Sequence, residues 1–251
     1  MSRVALVTGG ASGIGRACAK KLAQQDVKVA IVDRDRDTGN TIAKELNGSF
    51  IDADLSKRED CQKAIQGAIE QYGQLDILIN NAGFQHIESI ANFPEETWDT
   101  MIAVMLTAPF LLIKYAWSYL IQSGCGRIVN IGSVHSLTAS PFKIGYVTAK
   151  HGLVGLTKVV ALEGGEHGLT CNTLCPSYVR TPLIEKQIAD QSRTRGIPPE
   201  EVEEKILLVK TAMKKLLEPE DVANYVAFLC SSEAWAITGS VQAIDMAWTA
   251  N

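Results

Sequence analysis

Val4-Ala5-Leu6-Val7-Thr8-Gly9-Gly10-Ala11-Ser12-Gly13-Ile14-Gly15 opens the chain with an apolar run, a glycine-rich turn and the start of a helical pattern. The spacing G-x-x-x-G-x-G is a variant of the dinucleotide fingerprint. Its glycines let the backbone turn tightly and approach a pyrophosphate, whose charge meets free N–H groups at a helix N-terminus. A second apolar run ends at Asp33, 20 residues beyond Gly13. A carboxylate there accepts both ribose hydroxyls and repels a 2′-phosphate, which selects NAD over NADP. Arg16 and Arg34 stand close by with the opposite preference.

Outward from this unit, short apolar runs alternate with helical patterns along the whole chain. Residues 4–7, 27–32, 49–51, 75–79, 127–131, 170–174 and 241–244 read as strands. Helices are expected near 13–24, 36–46, 57–72, 95–121, 146–163 and 219–230. Continuous Val/Ile/Leu runs suit strands covered on both faces. The expected fold is therefore α/β: a doubly wound, Rossmann-type parallel sheet of about seven strands with helices on both faces. The 251 residues are expected to form a single dinucleotide-binding and catalytic domain.

One segment breaks the rhythm. About 40 residues between Pro176 and Pro219 separate the sixth strand from the next sheet-packing helix. A long insertion at the carboxyl end of a strand sits where open α/β sheets bind ligands, so residues 177–218 read as a helical lid. Two helices are apolar on nearly all sides, one around 101–113 and one after Tyr146 with Gly152 and Gly155 as points of close approach. Pro109 is expected to kink or divide the first. Helices apolar all round must be covered twice, which predicts a homo-oligomer.

Composition narrows the partners. A net charge of −4 argues against nucleic acid and anionic membranes. The uncharged stretch 100–113 is shorter than the roughly 20 residues that a membrane-spanning helix needs. No signal segment precedes the first strand, and a cytoplasmic protein is expected. The six cysteines are scattered, with no C-x-x-C pair, and read as buried reduced thiols rather than a metal site or a disulfide framework.

Tyr146-Val147-Thr148-Ala149-Lys150 places a phenol and an ammonium on one helix face. A free phenol, with a pKa of about 10, is a poor base near neutral pH, and a neighbouring cation favours the phenolate. Ser133, just after the strand at 127–131, offers a hydroxyl at the same sheet edge to hold a reacting oxygen. Lys143 stands three residues before Tyr146, suited to capturing an anionic substrate beside the reacting carbon.

Together the glycine motif, Asp33, Asn80-Asn81-Ala82-Gly83, Ser133, Tyr146 and Lys150 resemble the short-chain dehydrogenase/reductase family in order and spacing, over essentially the whole chain. The resemblance implies an enzyme in which Tyr146 is the acid/base, Ser133 positions the carbonyl, and Lys150 also grips the nicotinamide ribose. It implies that Gly9, Ser12, Gly13, Ile14 and Gly15 cradle NAD, with Asp54 and Leu55 at the adenine. Asn81, Ala82, Gly83, Val179 and Thr181 would line the cofactor.

Gly83-Phe84-Gln85-His86, Ser133-Val134-His135, Lys143 and Lys150-His151-Gly152-Leu153 look like the D-3-hydroxybutyrate dehydrogenase subgroup. That implies a small acid held by Gln85, His135, Lys143 and Gln187 and closed in by Trp248, oxidised reversibly to acetoacetate by a tetramer. The alternatives are reduction of another ketone, such as a 3-oxoacyl thioester, sugar or polyol, and a non-catalytic nucleotide-binding role. Three departures stand out: Met105 where the family usually has Asn, Ser177-Tyr178 after Pro176, and Asp245-Met246-Ala247-Trp248 in place of Asp-Gly-Gly.

Overall fold

The computed structural model describes residues 2–250, apart from the side chains of residues 186, 190, 191, 194 and 195. Each apolar run forms a strand and each periodic run a helix. In chain order these are β1 (Val4–Thr8), α1 (Gly13–Ala23), β2 (Lys28–Asp33), α2 (Arg36–Glu45), β3 (Ser49–Asp52) and α3 (Arg58–Tyr72). There follow β4 (Ile77–Asn80), α4 (Glu95–Ile102), α5 (Ala108–Gln122), β5 (Arg127–Ile131), α6 (Ile144–Gly164) and β6 (Thr170–Pro176). The chain ends with α7 (Pro182–Arg195), α8 (Pro199–Val202), α9 (Pro219–Leu229) and β7 (Val241–Ile244).

The strands form one seven-stranded sheet in the order β3-β2-β1-β4-β5-β6-β7, every pair parallel. This is the expected doubly wound fold. The order reverses between β1 and β4, so a crevice opens beyond their carboxyl ends. One core lies under α3, α5 and α6, and the other under α1 and α9. Residues of β1, β4 and β5 point alternately into both, which is why their sequences are continuously apolar.

Pro109 divides its helix as expected, by widening it rather than breaking it. Proline has no N–H for the carbonyl four residues back, and its ring crowds that carbonyl. Residues Ala103–Thr107 accordingly take a π-helical path, with Ala108 N–H donating to the Ala103 carbonyl, before α5 resumes. The whole helical run, Glu95–Gln122, spans 28 residues, far beyond the uncharged stretch 100–113. By length and composition alone it is long enough to cross a bilayer, which corrects the sequence estimate. Its Leu111, Leu112, Ala116 and Leu120 are nevertheless packed in the core against α3 and the sheet.

The close approach expected at Gly152 is internal to the chain. A Cβ there would meet the Leu106 side chain at 2.7 Å, whereas Gly155 has open space. Five of the thiols are buried, and Cys125 is half-buried.

Candidate active site

Segments following β1, β2, β3, β4, β5 and β6 converge on a cleft of about 620 Å³. Gly9, Ser12, Gly13, Ile14, Asp33, Asp54, Leu55, Asn81, Ala82, Gly83, Val179 and Thr181 line one part of it. Gln85, Ser133, His135, Lys143, Tyr146 and Lys150 line the rest. Three expected site residues do not line it. Gly15 is packed beneath the loop, where a Cβ would collide with the Gly9 carbonyl oxygen. Gln187 lies half-buried on α7. Trp248 is buried behind His135, with the two rings 5.8 Å apart.

The loop after β1 suits a phosphate. Gly9 and Gly13 both take left-handed backbone angles, with φ of 63° and 52°. A Cβ on Gly9 would press on Asn81 Nδ2 at 2.8 Å, and one on Gly13 would crowd Thr181 Cγ2 at 3.2 Å. Side chains at either position would fill the cradle. Asn81 secures this loop to the end of β4, donating from Nδ2 to the Thr8 and Gly9 carbonyls at 2.9 and 3.2 Å. Asn80 points away, donating to Asn130 Oδ1 inside the sheet. Asp33 Oδ2 accepts from Ala11 N–H and Oδ1 from Asp35 N–H, which fixes the carboxylate at the cleft wall. Of the two nearby arginines, Arg16 pairs with Glu45 at 3.5 Å, while Arg34 lines the cleft.

At the chemical end, Ser133 caps a single 3₁₀ turn, Val134–Ser136, which turns its hydroxyl toward the Tyr146 phenol. Lys150 Nζ lies 5.5 Å from the Tyr146 ring centre and donates to the Ile131 carbonyl at 2.7 Å. Burial pulls its ammonium down to about 8. The expectation that the lysine favours the phenolate is not met in the protein alone. Burial pushes the Tyr146 phenol up, against a smaller downward pull from Ser133, and Lys150 is occupied by a main-chain carbonyl.

Lys143 is buried with its Nζ 5.6 Å from the Tyr178 ring centre, and burial lowers its ammonium pKa. No carboxylate among the described residues pairs with it. Phe142 beside it has φ of 66°, a costly backbone for an aromatic residue. Its carbonyl accepts from Glu88 N–H, joining this loop to the one that carries Gln85. Gln85 Nε2 is itself buried and unpartnered among the described residues.

Ser177 and Tyr178 stood out in the sequence only as departures after Pro176 that bear on pocket shape, with no site role assigned to them. Both line the cleft, and Ser177 Oγ is a second buried, unpartnered polar atom. The available signal was the serine after Pro176. Beyond β7, Met246 and Ala247 take the left-handed conformation that glycines adopt easily, with φ of 55° and 63°. The Asp245 carboxylate holds this turn, accepting from Ala247 N–H and from both the N–H and the hydroxyl of Thr249. Trp248 is thereby set against His135.

The short-chain dehydrogenase family model matches residues 3–192. The D-beta-hydroxybutyrate dehydrogenase of Rhizobium meliloti is 42% identical over 257 residues, covering 100% of both chains. The enzyme of that name from Cupriavidus necator is 38% identical, covering 99% of this chain and 98% of its own. Among solved structures, an actinorhodin polyketide ketoreductase with NADPH is 30% identical with a TM-score of 0.92, covering 98% of this chain and 97% of its own. The fold, the cleft and these relatives indicate an enzyme that uses a nicotinamide dinucleotide on a small-molecule substrate. The chain belongs to the short-chain dehydrogenase family.

Proposed function

We propose that the protein oxidises D-3-hydroxybutyrate to acetoacetate, reversibly, with NAD. The observation that carries the substrate is Lys143: a buried ammonium with no carboxylate partner among the described residues, on the cleft wall that also holds Tyr146 and Ser133. A buried charge is tolerated when something neutralises it. A carboxylate two carbons from the reacting hydroxyl would do so, and the unpartnered Gln85 amide would take its second oxygen. The relatives named D-beta-hydroxybutyrate dehydrogenase support the same reading.

In this reading Gly9, Ser12, Gly13, Ile14 and Gly15 hold the pyrophosphate, Asp33 the adenosine ribose, and Asp54 and Leu55 the adenine. Asn81, Ala82, Gly83, Val179 and Thr181 line the nicotinamide half, and Lys150 binds its ribose. Asp33 favours NAD because its anchored oxygens accept ribose hydroxyls and repel a phosphate. NAD supplies the acceptor for the hydride leaving C3. Ser133 holds the C3 oxygen, and Tyr146 takes its proton. His135, Lys143, Gln85 and Trp248 shape the acid subsite, and Gln187 reaches it when residues 177–218 close as a lid. The exposed Phe110, Val159 and Leu162, on α5 and α6, are the surface on which copies of the chain assemble, into a tetramer.

The test follows NADH absorbance with each enantiomer of 3-hydroxybutyrate and a panel of neutral alcohols, with NAD and NADP. The D-acid with NAD should lead every other combination by at least about tenfold in kcat/KM, and Tyr146→Phe should lose about a thousandfold in kcat. Turnover of a neutral alcohol with neither acid accepted would overturn the substrate.

A further inference from the structure

The turn that carries Ser133 fixes more than the place of its hydroxyl. Ser133 N–H donates to Ser136 Oγ at 3.2 Å, and Ser136 N–H donates back to the Ser133 carbonyl at 2.7 Å. The backbone of Ser133 is thus held from both sides. Its Oγ accepts the main-chain N–H of His135 at 3.2 Å and lies 3.4 Å from His135 Nδ1. Across the ring, His135 Nε2 lies 3.0 Å from Ser140 Oγ. Both ring nitrogens are engaged within this one loop.

A serine hydroxyl has one proton and two lone pairs, and a neutral imidazole has one N–H and one lone pair. His135 is neutral: burial, and then the charges of Lys143, Lys210 and His151, hold its ring down to about 4. Two arrangements therefore satisfy the ring. In the first, Ser133 gives its proton to Nδ1, Nε2–H donates to Ser140, and Ser133 has nothing left for a reacting oxygen. In the second, Nδ1–H donates to Ser133 Oγ and Nε2 accepts the Ser140 O–H. His135 then fills both lone pairs of Ser133, one from its main chain and one from its ring. The Ser133 proton is left for the cleft.

We propose that His135 is a positioning residue for Ser133: held by Ser140 as the Nδ1–H tautomer, it makes Ser133 an obligate donor to the reacting oxygen. The second arrangement is the one that lets Ser133 hold the C3 oxygen. The pull of Ser133 on Tyr146 has the same sense. Against the rise that burial causes, it lowers the phenol pKa, as a donor does. A hydroxyl whose own oxygen accepts hydrogen bonds is the stronger donor, and it matters most where a ketone oxygen gains charge as hydride arrives. His135 itself touches no reacting atom, and the substrate carboxylate is left to Lys143 and Gln85.

The inference rests on the reading in which Ser133 holds the C3 oxygen, and not on the acid subsite. Its direct test is ¹⁵N NMR of histidine-labelled wild type at pH 7, with the His135 signals assigned by their loss in His135→Asn. Nδ1 should carry the proton and Nε2 should be bare; the opposite tautomer overturns the proposal. Kinetics with NAD use D-3-hydroxybutyrate and its methyl ester, or the best alcohol of the panel if both are refused. Ser133→Ala should lower kcat at least about a hundredfold. His135→Ala should lower kcat about thirtyfold for acid and ester alike, with KM within about threefold. His135→Asn, whose amide N–H can stand where Nδ1–H stood, should recover to within about fivefold of wild type. Added to Ser133→Ala, His135→Ala should cost no more than about threefold, because both act through one hydroxyl. A His135→Ala loss confined to the acid, or one undiminished beside Ser133→Ala, would overturn the positioning role alone. Wild-type kcat in Ser133→Ala would remove the reading beneath it.

Discussion

His135 sits where three demands meet: it bonds Ser133, it packs on Trp248, and it stays uncharged beside lysines. The last makes folding stability depend on pH. The folded ring titrates at about 4 against the usual 6.5, so between those values the unfolded chain binds a proton that the folded chain refuses. Stability from this group is complete above pH 6.5 and is lost as pH falls through 4. The loss is on the order of 3 kcal/mol, by the linkage between pKa shift and free energy. Urea unfolding at pH 7 and pH 4.5 should show a smaller acid loss for His135→Gln than for wild type; equal losses would contradict the assignment. Tyr146 and Lys150 were legible in sequence because one helical turn brings them together regardless of tertiary detail. The His135–Ser140 bond was not, because it depends on how a loop folds back. Nor was the state of the phenol legible, since burial decides it and spacing does not report burial.

At the scale of elements, the segment between β6 and α9 leaves and returns through one neck. Val179 bridges Leu217 in parallel, Arg180 N–H donates to the Leu217 carbonyl, and Leu217 N–H donates to the Tyr178 carbonyl. Arg180 meets Glu185, Glu203 and Glu218 at 2.9, 3.1 and 3.4 Å, tying α7, the turn after α8 and the start of α9 to that neck. Beyond it, Ile184, Ile188, Val202, Leu207, Leu208 and Leu216 form a core of their own. The segment is also fastened to the turn after β7, where Ala212 N–H donates to the Met246 carbonyl at 2.8 Å and Lys210 lies over the Trp248 ring. A unit with its own core is thus held at these two places. Exposed ion pairs contribute about 0–1 kcal/mol each, so Arg180→Ala should loosen the neck without unfolding the sheet. Limited proteolysis within 182–216 should quicken, and KM for the acid should rise about fivefold. An unchanged cleavage pattern with unchanged KM would leave the segment a fixed wall. The insertion was legible as a break in rhythm, and Pro109 as a disturbance in its helix. The left-handed turn at Met246 and Ala247 was not legible in detail, because its stability lies in the Asp245 hydrogen bonds.

Across the whole molecule, the strands could be read because a parallel sheet buried on both faces leaves unbroken apolar runs, and most of the helices because their apolar residues recur on one face. The doubly wound architecture then places the crevice where the order reverses, and the motifs fall into it from separate loops. What the chain puts there besides the dehydrogenase chemistry is a buried cation, Lys143, and the proposed substrate rests on it. A carboxylate about 4 Å from an ammonium gains roughly 4 kcal/mol at an effective dielectric of 20. Desolvation and ordering should leave about 1–3 kcal/mol, or roughly 5- to 150-fold in kcat/KM. The measurement is kcat/KM with NAD for D-3-hydroxybutyrate and its methyl ester, in wild type and in Lys143→Ala. Each single change should cost that factor, and the two together clearly less than their product, because both act through one contact. If wild type turns over the ester as well as the acid, Lys143 does not read a carboxylate and the hydroxybutyrate assignment is contradicted.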